Sequence, residues 1–297
     1  MSRAAAFTPA DLAANTDHLP AMPAVAAKAM ELIADPETTL AELQKVIEVD
    51  AALATEMLRI SNTALYSRAR VVSSLRDAIV RLGFKKVRSV LVTVATQSLF
   101  RGARKAIAGA DVLWQHSVLA GLAARQVAQD LGSALRVDAE EAFLGALLHD
   151  VGKVVMLARF PDEYGEVLRR VWEGAGTYLE TEAAVLGVDH RHVGHQLLKF
   201  WGLPVPFQTV ALFHHEPDAA ATEDAAHLAL VSIVGAISTC LHLWGLGSPP
   251  KYATRAVDAP ADRAIAALGA LGVTPPAAES LRQMLTDSGT GIGKGLF

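Results

Sequence analysis

Apolar side chains recur three and four residues apart along nearly the whole chain, and no stretch alternates apolar with polar residues in a β-branched run. A chain patterned in this way buries helix faces against one another and offers no sheet. The expected fold class is therefore all-α. Met22, Val25, Ala29, Met30 and Ile33 share one helical face, which Asp35-Pro36 stops. Thr39 and Glu42 stand at capping-box spacing ahead of Leu43, Val46 and Ile47. Asp50 can cap a helix that turns Leu53, Met57 and Ile60 inward. Ser74 and Asp77 suggest another capping box, with Gly83 as the stop of a short helix carrying Leu75, Ile79 and Leu82. Val87, Val90, Leu91 and Val94 continue the pattern.

A second block begins near Asp111, read as an N-cap, and its helix reaches Leu131-Gly132. The next helix, roughly Ala139 to Leu148, delivers His149-Asp150 at its end. Two amphipathic segments flank Gly174-Ala175-Gly176. Asp189 caps a helix ending at Trp201-Gly202, and Pro204 begins another. From Val257 the tail reads as two more short helices split by Pro275-Pro276, and Gly289 to Gly295 as a flexible end. There is no internal repeat.

At 297 residues and 52% hydrophobic, the chain has enough apolar material for one large domain or two closely joined ones. Its single cysteine, Cys240, excludes a disulfide framework and a Cys-based zinc site. That usage fits a reducing cytosol, and the thiol reads as buried and inert. The start, Met1-Ser2-Arg3-Ala4-Ala5-Ala6, has no secretory pattern, so the expected location is cytoplasmic. Ala225 to Pro250 carries no formal charge, but Glu223-Asp224 precede it, His227 and His242 interrupt it, and Pro249-Pro250 end it. It reads as a buried core helix, not a membrane span. Trp114, Trp172, Trp201 and Trp244 read as core, and Asp11 and Glu31 as surface or cap positions.

Charge is unevenly spread. Between Arg68 and Lys105 stand ten basic residues (Arg68, Arg70, Arg76, Arg81, Lys85, Lys86, Arg88, Arg101, Arg104, Lys105) and one acid, Asp77. That segment is +9, which leaves −13 for the rest of a chain whose total is −4. Without interleaved aromatics it reads first as a solvated helical face. An anionic ligand, an acidic protein surface or nucleic acid is the partner it would suit.

The ten histidines constrain function most. Helical phase turns His116 inward with Val112, Leu119 and Ala123, His190 with Val193 and Leu197, and His214 with Phe207, Val210 and Ala211. The same phase puts His192, His195 and Lys199 towards solvent. His149-Asp150 sits where a helix gives way before Val151-Gly152, so both side chains can face one centre. Imidazoles and a carboxylate together suit divalent iron, manganese or zinc. Lys153 is a fixed cation that could face a phosphate.

His149-Asp150-Val151-Gly152-Lys153 resembles the hallmark of the HD superfamily of metal-dependent phosphohydrolases. The whole layout more closely resembles its HDOD branch, a family of bacterial signalling proteins. Leu19-Pro20-Ala21-Met22-Pro23, Asp50-Ala51-Ala52-Leu53-Ala54, Leu58 to Tyr66 and Ala78 to Gly83 carry the resemblance in the first half. Trp114-Gln115-His116-Ser117, Gly145 to Asp150, Asp189-His190, Trp201-Gly202-Leu203-Pro204 and His214-His215-Glu216-Pro217 carry it in the second. The resemblance implies a two-lobed helical HDOD fold over residues 12–217. Its N-terminal lobe would span about 12–105, an HD-like helical bundle about 106–217, and helices of 218–297 would complete or extend the second lobe.

The resemblance also implies a metal-binding set: His116, His149, Asp150, His190, His214 and His215. Two departures bear on activity. Catalytic HD domains use a further Asp on the helix after the His pair, whereas Ala225 to Gly247 has no carboxylate. The related cyclic-dinucleotide phosphodiesterases continue into a Gly-Tyr-Pro loop, whereas here Pro217-Asp218-Ala219-Ala220-Ala221 follows. Glu216 is a candidate substitute acid. A non-catalytic signalling module working through a protein partner or ligand, with a degenerate site that still holds metal, is the leading expectation. A metal-dependent nucleotide phosphohydrolase is the alternative. In that case Lys153 would steady a phosphate oxygen, and His215 or His116 would assist proton transfer.

Overall fold

A computed structural model describes residues 8–14, 16, 18–63, 71–104, 110–131, 134–220, 225–247 and 261–292. Among these residues the secondary structure is helical, with no strand. In chain order the helices are α1 (Pro9–Ala14), α2 (Ala24–Ala34), α3 (Leu40–Glu48), α4 (Ala51–Ser61), α5 (Leu75–Arg104), α6 (Ala110–Leu131), α7 (Ala139–Leu148) and α8 (Val151–Arg159). They continue as α9 (Pro161–Glu173), α10 (Tyr178–Leu186), α11 (His190–Phe200), α12 (Val205–Phe213), α13 (Ala225–Leu243), α14 (Ala261–Gly269) and α15 (Pro275–Ile292). A 3-10 turn, Pro217–Ala220, follows α12.

The chain divides into two compact units. Ala21–Ser98 lies in one, and Leu99–Thr290, with the N-terminal segment through Pro20, forms the other. The smaller unit packs Ala29 of α2, Leu43 and Ile47 of α3, Leu53, Met57 and Ile60 of α4, and Leu75 to Leu91 of α5 into one core. Capping fixes where these helices start. The Thr39 hydroxyl accepts from the Glu42 amide at 3.3 Å while Glu42 accepts the Thr39 amide at 2.8 Å, a complete capping box. Asp50 accepts from the amides of Ala52 and Leu53.

Two boundaries and one helix length differ from the sequence reading. Met22 lies ahead of α2, whose N-cap is Pro23. Gly83 does end the short helix of Leu75, Ile79 and Leu82. It takes φ 70° and ψ 160°, a left-handed break that Gly tolerates, and helical residues resume at once, so α5 is kinked there. Ser74 does accept from the Asp77 amide at its start. Asp111 lies within the first turn of α6 and is not its cap. The second tail helix, at 18 residues, is not short.

In the larger unit α7 is buried along almost its whole length and touches α6, α12 and α13. Its start is fixed by Asp138, which accepts from the amides of Glu140 and Glu141. α13 buries Leu230, Val231, Ile233, Val234, Ile237 and Cys240, and burial pushes the Cys240 thiol up to about 12. No helix among the described residues is long and apolar enough to cross a membrane. Trp114 is core, whereas Trp172, Trp201 and Trp244 are only partly buried. Trp201 uses its indole N–H, which donates to the Pro20 carbonyl at 2.8 Å.

Candidate metal centre

Four chain segments converge on Asp150. α6 brings His116 inward, and the end of α7 delivers His149 and Asp150. α11 opens with His190, and α12 ends at His214-His215. Gly152 lets α8 and α11 meet: a Cβ there would lie 2.0 Å from the His190 carbonyl oxygen and 2.7 Å from the Gly194 nitrogen. The glycine that looked like a turn device in the sequence therefore serves close helix packing. His116, His149, Asp150, His190 and His214 are buried, and His215 is the exposed member.

The two carboxylate oxygens of Asp150 face different imidazoles. Oδ1 stands 3.3 Å from His190 Nε2 and 3.5 Å from His214 Nε2. Oδ2 stands 3.3 Å from His149 Nε2 and 3.9 Å from His116 Nε2. Candidate ligand atoms accordingly gather in two groups that share Asp150. One is Asp150, His190, His214 and His215, and the other His116, His149 and Asp150.

Hydrogen bonding fixes which nitrogens are bare. A carbonyl oxygen can only accept, so His149 Nδ1, 2.5 Å from the Ala146 oxygen, carries the proton. His214 Nδ1 likewise donates to the Val210 oxygen at 3.1 Å. His190 Nδ1 is 2.6 Å from Glu182 Oε2. Burial holds His190 well below its usual range and lowers His214, so both are neutral near pH 7. Their Nε2 atoms then present lone pairs to a carboxylate oxygen. Asp150 Oδ1, His149 Nε2 and His214 Nε2 are all buried with no hydrogen-bond partner. Facing acceptors without a proton between them repel, and a cation between them reverses the sign. Two atoms each ~2.1 Å from one ion stand roughly 3–3.4 Å apart, close to the separations here. The donor set fits a divalent ion of the iron, manganese or zinc kind.

Glu182, on α10, was not singled out in the sequence. It is fully buried, accepts the Tyr164 hydroxyl at 2.8 Å, and accepts both the amide and the Nδ1–H of His190. Burial pushes its carboxyl up to about 7, against the opposing charge of Lys153. Three donors on one carboxylate favour its ionised form. A carboxylate so placed fixes the orientation of an imidazole that belongs to the candidate ligand set.

His242, on α13, also went unassigned. Its ring stacks on His116 with centroids 4.7 Å apart and planes 20° apart. Burial, then the charge of Lys153, pushes it down to about 4. Ser238, one turn earlier on the same helix, lies 3.3 Å from His116 Nε2. Both residues belong to a helix that looked purely structural, and the i, i+4 spacing of Ser238 and His242 was the available signal.

Three other sequence readings need revision. Lys153 is buried, donates to Asp150 Oδ2 at 2.7 Å and covers the Tyr178 ring at 4.1 Å, so its charge is already engaged within the protein. Glu216 points away and pairs with Arg191 at 3.2 Å. His195 is half-buried against the Gln208 carbonyl, whereas His192 and Lys199 are exposed.

The HDOD domain profile matches residues 19–217, two-thirds of the chain. The chain belongs to the HDOD family. Among solved structures, an HDOD domain protein from Geobacter sulfurreducens shares 25% identity, with coverage of 97% of each chain and a TM-score of 0.72. A candidate phosphohydrolase from Shewanella amazonensis SB2B shares 19% over 97% of this chain and 98% of its own, with a TM-score of 0.71. A candidate signal transduction protein from Marinobacter aquaeolei VT8 shares 21% over 94% of this chain and 59% of its own, at 0.69. At 19% and 21% these two show the fold. An uncharacterised protein of Treponema pallidum (strain Nichols) is 23% identical over 210 residues, 69% of this HDOD chain. The chain spans about two-fifths of that relative's length, 39%.

The basic segment of the HDOD protein is described in part. Arg68, Arg70 and Lys105 lie outside the described residues, as do Ala64 to Tyr66, Gly132, Glu223-Asp224, Pro249-Pro250 and Gly293 to Gly295. Of the rest, Arg76, Lys85 and Arg101 are exposed, while Arg81, Lys86 and Arg88 are half-buried.

Proposed function

We propose that this HDOD protein is a regulatory module whose HD-type centre holds a divalent metal and transmits a signal through a partner or ligand, without turning over a nucleotide. The observation that carries this reading is the set of facing acceptors around Asp150: buried Nε2 lone pairs aimed at a buried carboxylate. Such an arrangement is costly without a cation. The metal would be held by His190, His214, His215 and Asp150, or by His116, His149 and Asp150, with iron, manganese or zinc as candidates. Bound there, it supplies Lewis acidity.

What speaks against turnover is the scarcity of free carboxylates. Asp150 is the one acid in either group, and Glu182 is committed to His190 and Tyr164. The helix after the His pair, α13, has no acid to aim a water, and Ser238 and His242 face His116 instead. Lys153, which could steady a phosphate in an enzyme, is tied to Asp150. The cytoplasm is the compartment we assign, and a protein partner in a signalling pathway the output.

The test is a panel of nucleotides and cyclic dinucleotides incubated with protein and Mn, Fe or Mg. No hydrolysis is expected. Turnover at ordinary enzymatic rates that disappears in Asp150→Ala would instead establish the metal-dependent phosphohydrolase reading.

A further inference from the structure

A cavity of about 310 Å³ opens beside the candidate centre. His214 and His215 belong to both the ligand cluster and the cavity wall, and His242 joins them. Ser232, Ser238 and Thr239 of α13 add hydroxyls, and Ala236, Ala267 and Leu271 add an apolar side. The wall from Ser232 to Leu271 lies past residue 217, outside the segment that defines the family match. What this cavity admits is therefore set by a part of the chain that the family profile does not cover.

Three physical limits narrow the occupant. Volume comes first: about 310 Å³ lies at the lower end of the range for small-molecule sites. Charge comes second. Among the described lining residues there is no lysine or arginine, so the metal is the one strong cation available to an anionic head. Polarity comes third: imidazoles and hydroxyls sit at the metal end, and alanine and leucine carbons at the other.

We propose that the cavity is a sensing pocket for a small monoanion: one carboxylate head that reaches the metal beside His214, His215 and His242, on a short apolar body packed against Ala236, Ala267 and Leu271. The proposal rests on the metal reading above. It assigns the signal of that module to a short-chain carboxylic acid, and it makes α13 and α14 the elements that feel occupancy.

The test loads the full-length protein with Co²⁺ and follows its visible absorption as butyrate is titrated in. Inorganic phosphate and a cyclic dinucleotide serve as competitors. The expected result is a saturable spectral change with butyrate that neither competitor prevents. Ala267→Phe should weaken butyrate binding at least tenfold while cobalt content stays the same. Ser232→Ala, a milder change, should weaken it by a few-fold, which guards against misfolding of the larger substitution. Cobalt uptake with no response to butyrate overturns the proposal alone, as does an equal response in both variants or tighter binding of phosphate or the dinucleotide. Failure to take up cobalt overturns the metal reading and this proposal with it.

Discussion

Nδ1 of His190 lies 2.6 Å from Glu182 Oε2, which leaves Nε2 of the same ring facing Asp150 Oδ1 at 3.3 Å. A buried carboxylate thus sets the tautomer and aim of an imidazole on the far side of which a metal would sit. Glu182→Gln preserves the shape and removes the charge. Metal affinity, measured by competition with a chelator, should fall about 10–100-fold, the usual loss for an outer-shell partner. Unchanged affinity would mean that Glu182 is structural only.

The Lys153–Asp150 pair gives a second prediction. Both groups are buried, and the Lys153 ammonium is one of the few positive charges near the cluster. Removing one partner of a buried pair costs about 3–5 kcal/mol because the other is left uncompensated. Lys153→Met should destabilise the metal-free protein by about that much in denaturant unfolding. Metal-loaded protein should lose less, because the cation takes over the task of neutralising Asp150. An equal loss in both forms would place the metal away from Asp150.

Acid should destabilise the metal-free protein well before ordinary carboxylates titrate. His116 and His190 are held well below the usual histidine range, and His242 is at about 4, with burial the leading cause in each. The unfolded chain therefore takes up protons near pH ~6.5 that the folded chain refuses. Stability contributed by these rings is complete above that pH and is lost as pH falls towards 4. Glu182, raised to about 7, works in the opposite sense over part of the same window, but it is one group against several imidazoles. Thermal midpoints should fall steadily from pH 6.5 to 4.5 and be flat or rising from 8 down to 7. A midpoint that is independent of pH across the acid window would contradict the burial of the rings.

Gly152→Ala tests how the centre is assembled. The added Cβ would meet the His190 backbone at 2.0 Å, so α8 and α11 must separate. The variant should lose at least the 1–3 kcal/mol typical of overpacking and lose metal with it. Retention of both would mean the helices can slide apart without moving His190.

Much of this was legible in the sequence. The all-helical class follows from apolar spacing, and the starts of α3, α4 and α11 follow from Thr39, Asp50 and Asp189, whose side chains do bond the first-turn amides. The candidate set His116, His149, Asp150, His190, His214 and His215 was legible because its motifs resemble a known family, and helical phase turned His116, His190 and His214 inward; their gathering around Asp150 is tertiary and was not legible. Glu182 was hidden because its role is tertiary: within α10 it follows a capping Glu180, and nothing local marks it as the partner of a residue eight positions on. His242 was hidden by its setting, since a ring in an uncharged, largely apolar helix looks like packing until α6 is laid beside it. Gly83 was legible for a local reason: a positive-φ glycine breaks a helix, and a second helical run follows it directly.

Metal content tests the central claim most directly. Protein purified without an affinity-metal column would be analysed by mass spectrometry, alongside a His149→Ala/Asp150→Ala variant. The account predicts one or two equivalents of iron, manganese or zinc in the wild type, lost in the variant, since Asp150 belongs to both ligand groups. A wild-type protein that holds no metal even after reconstitution would contradict it.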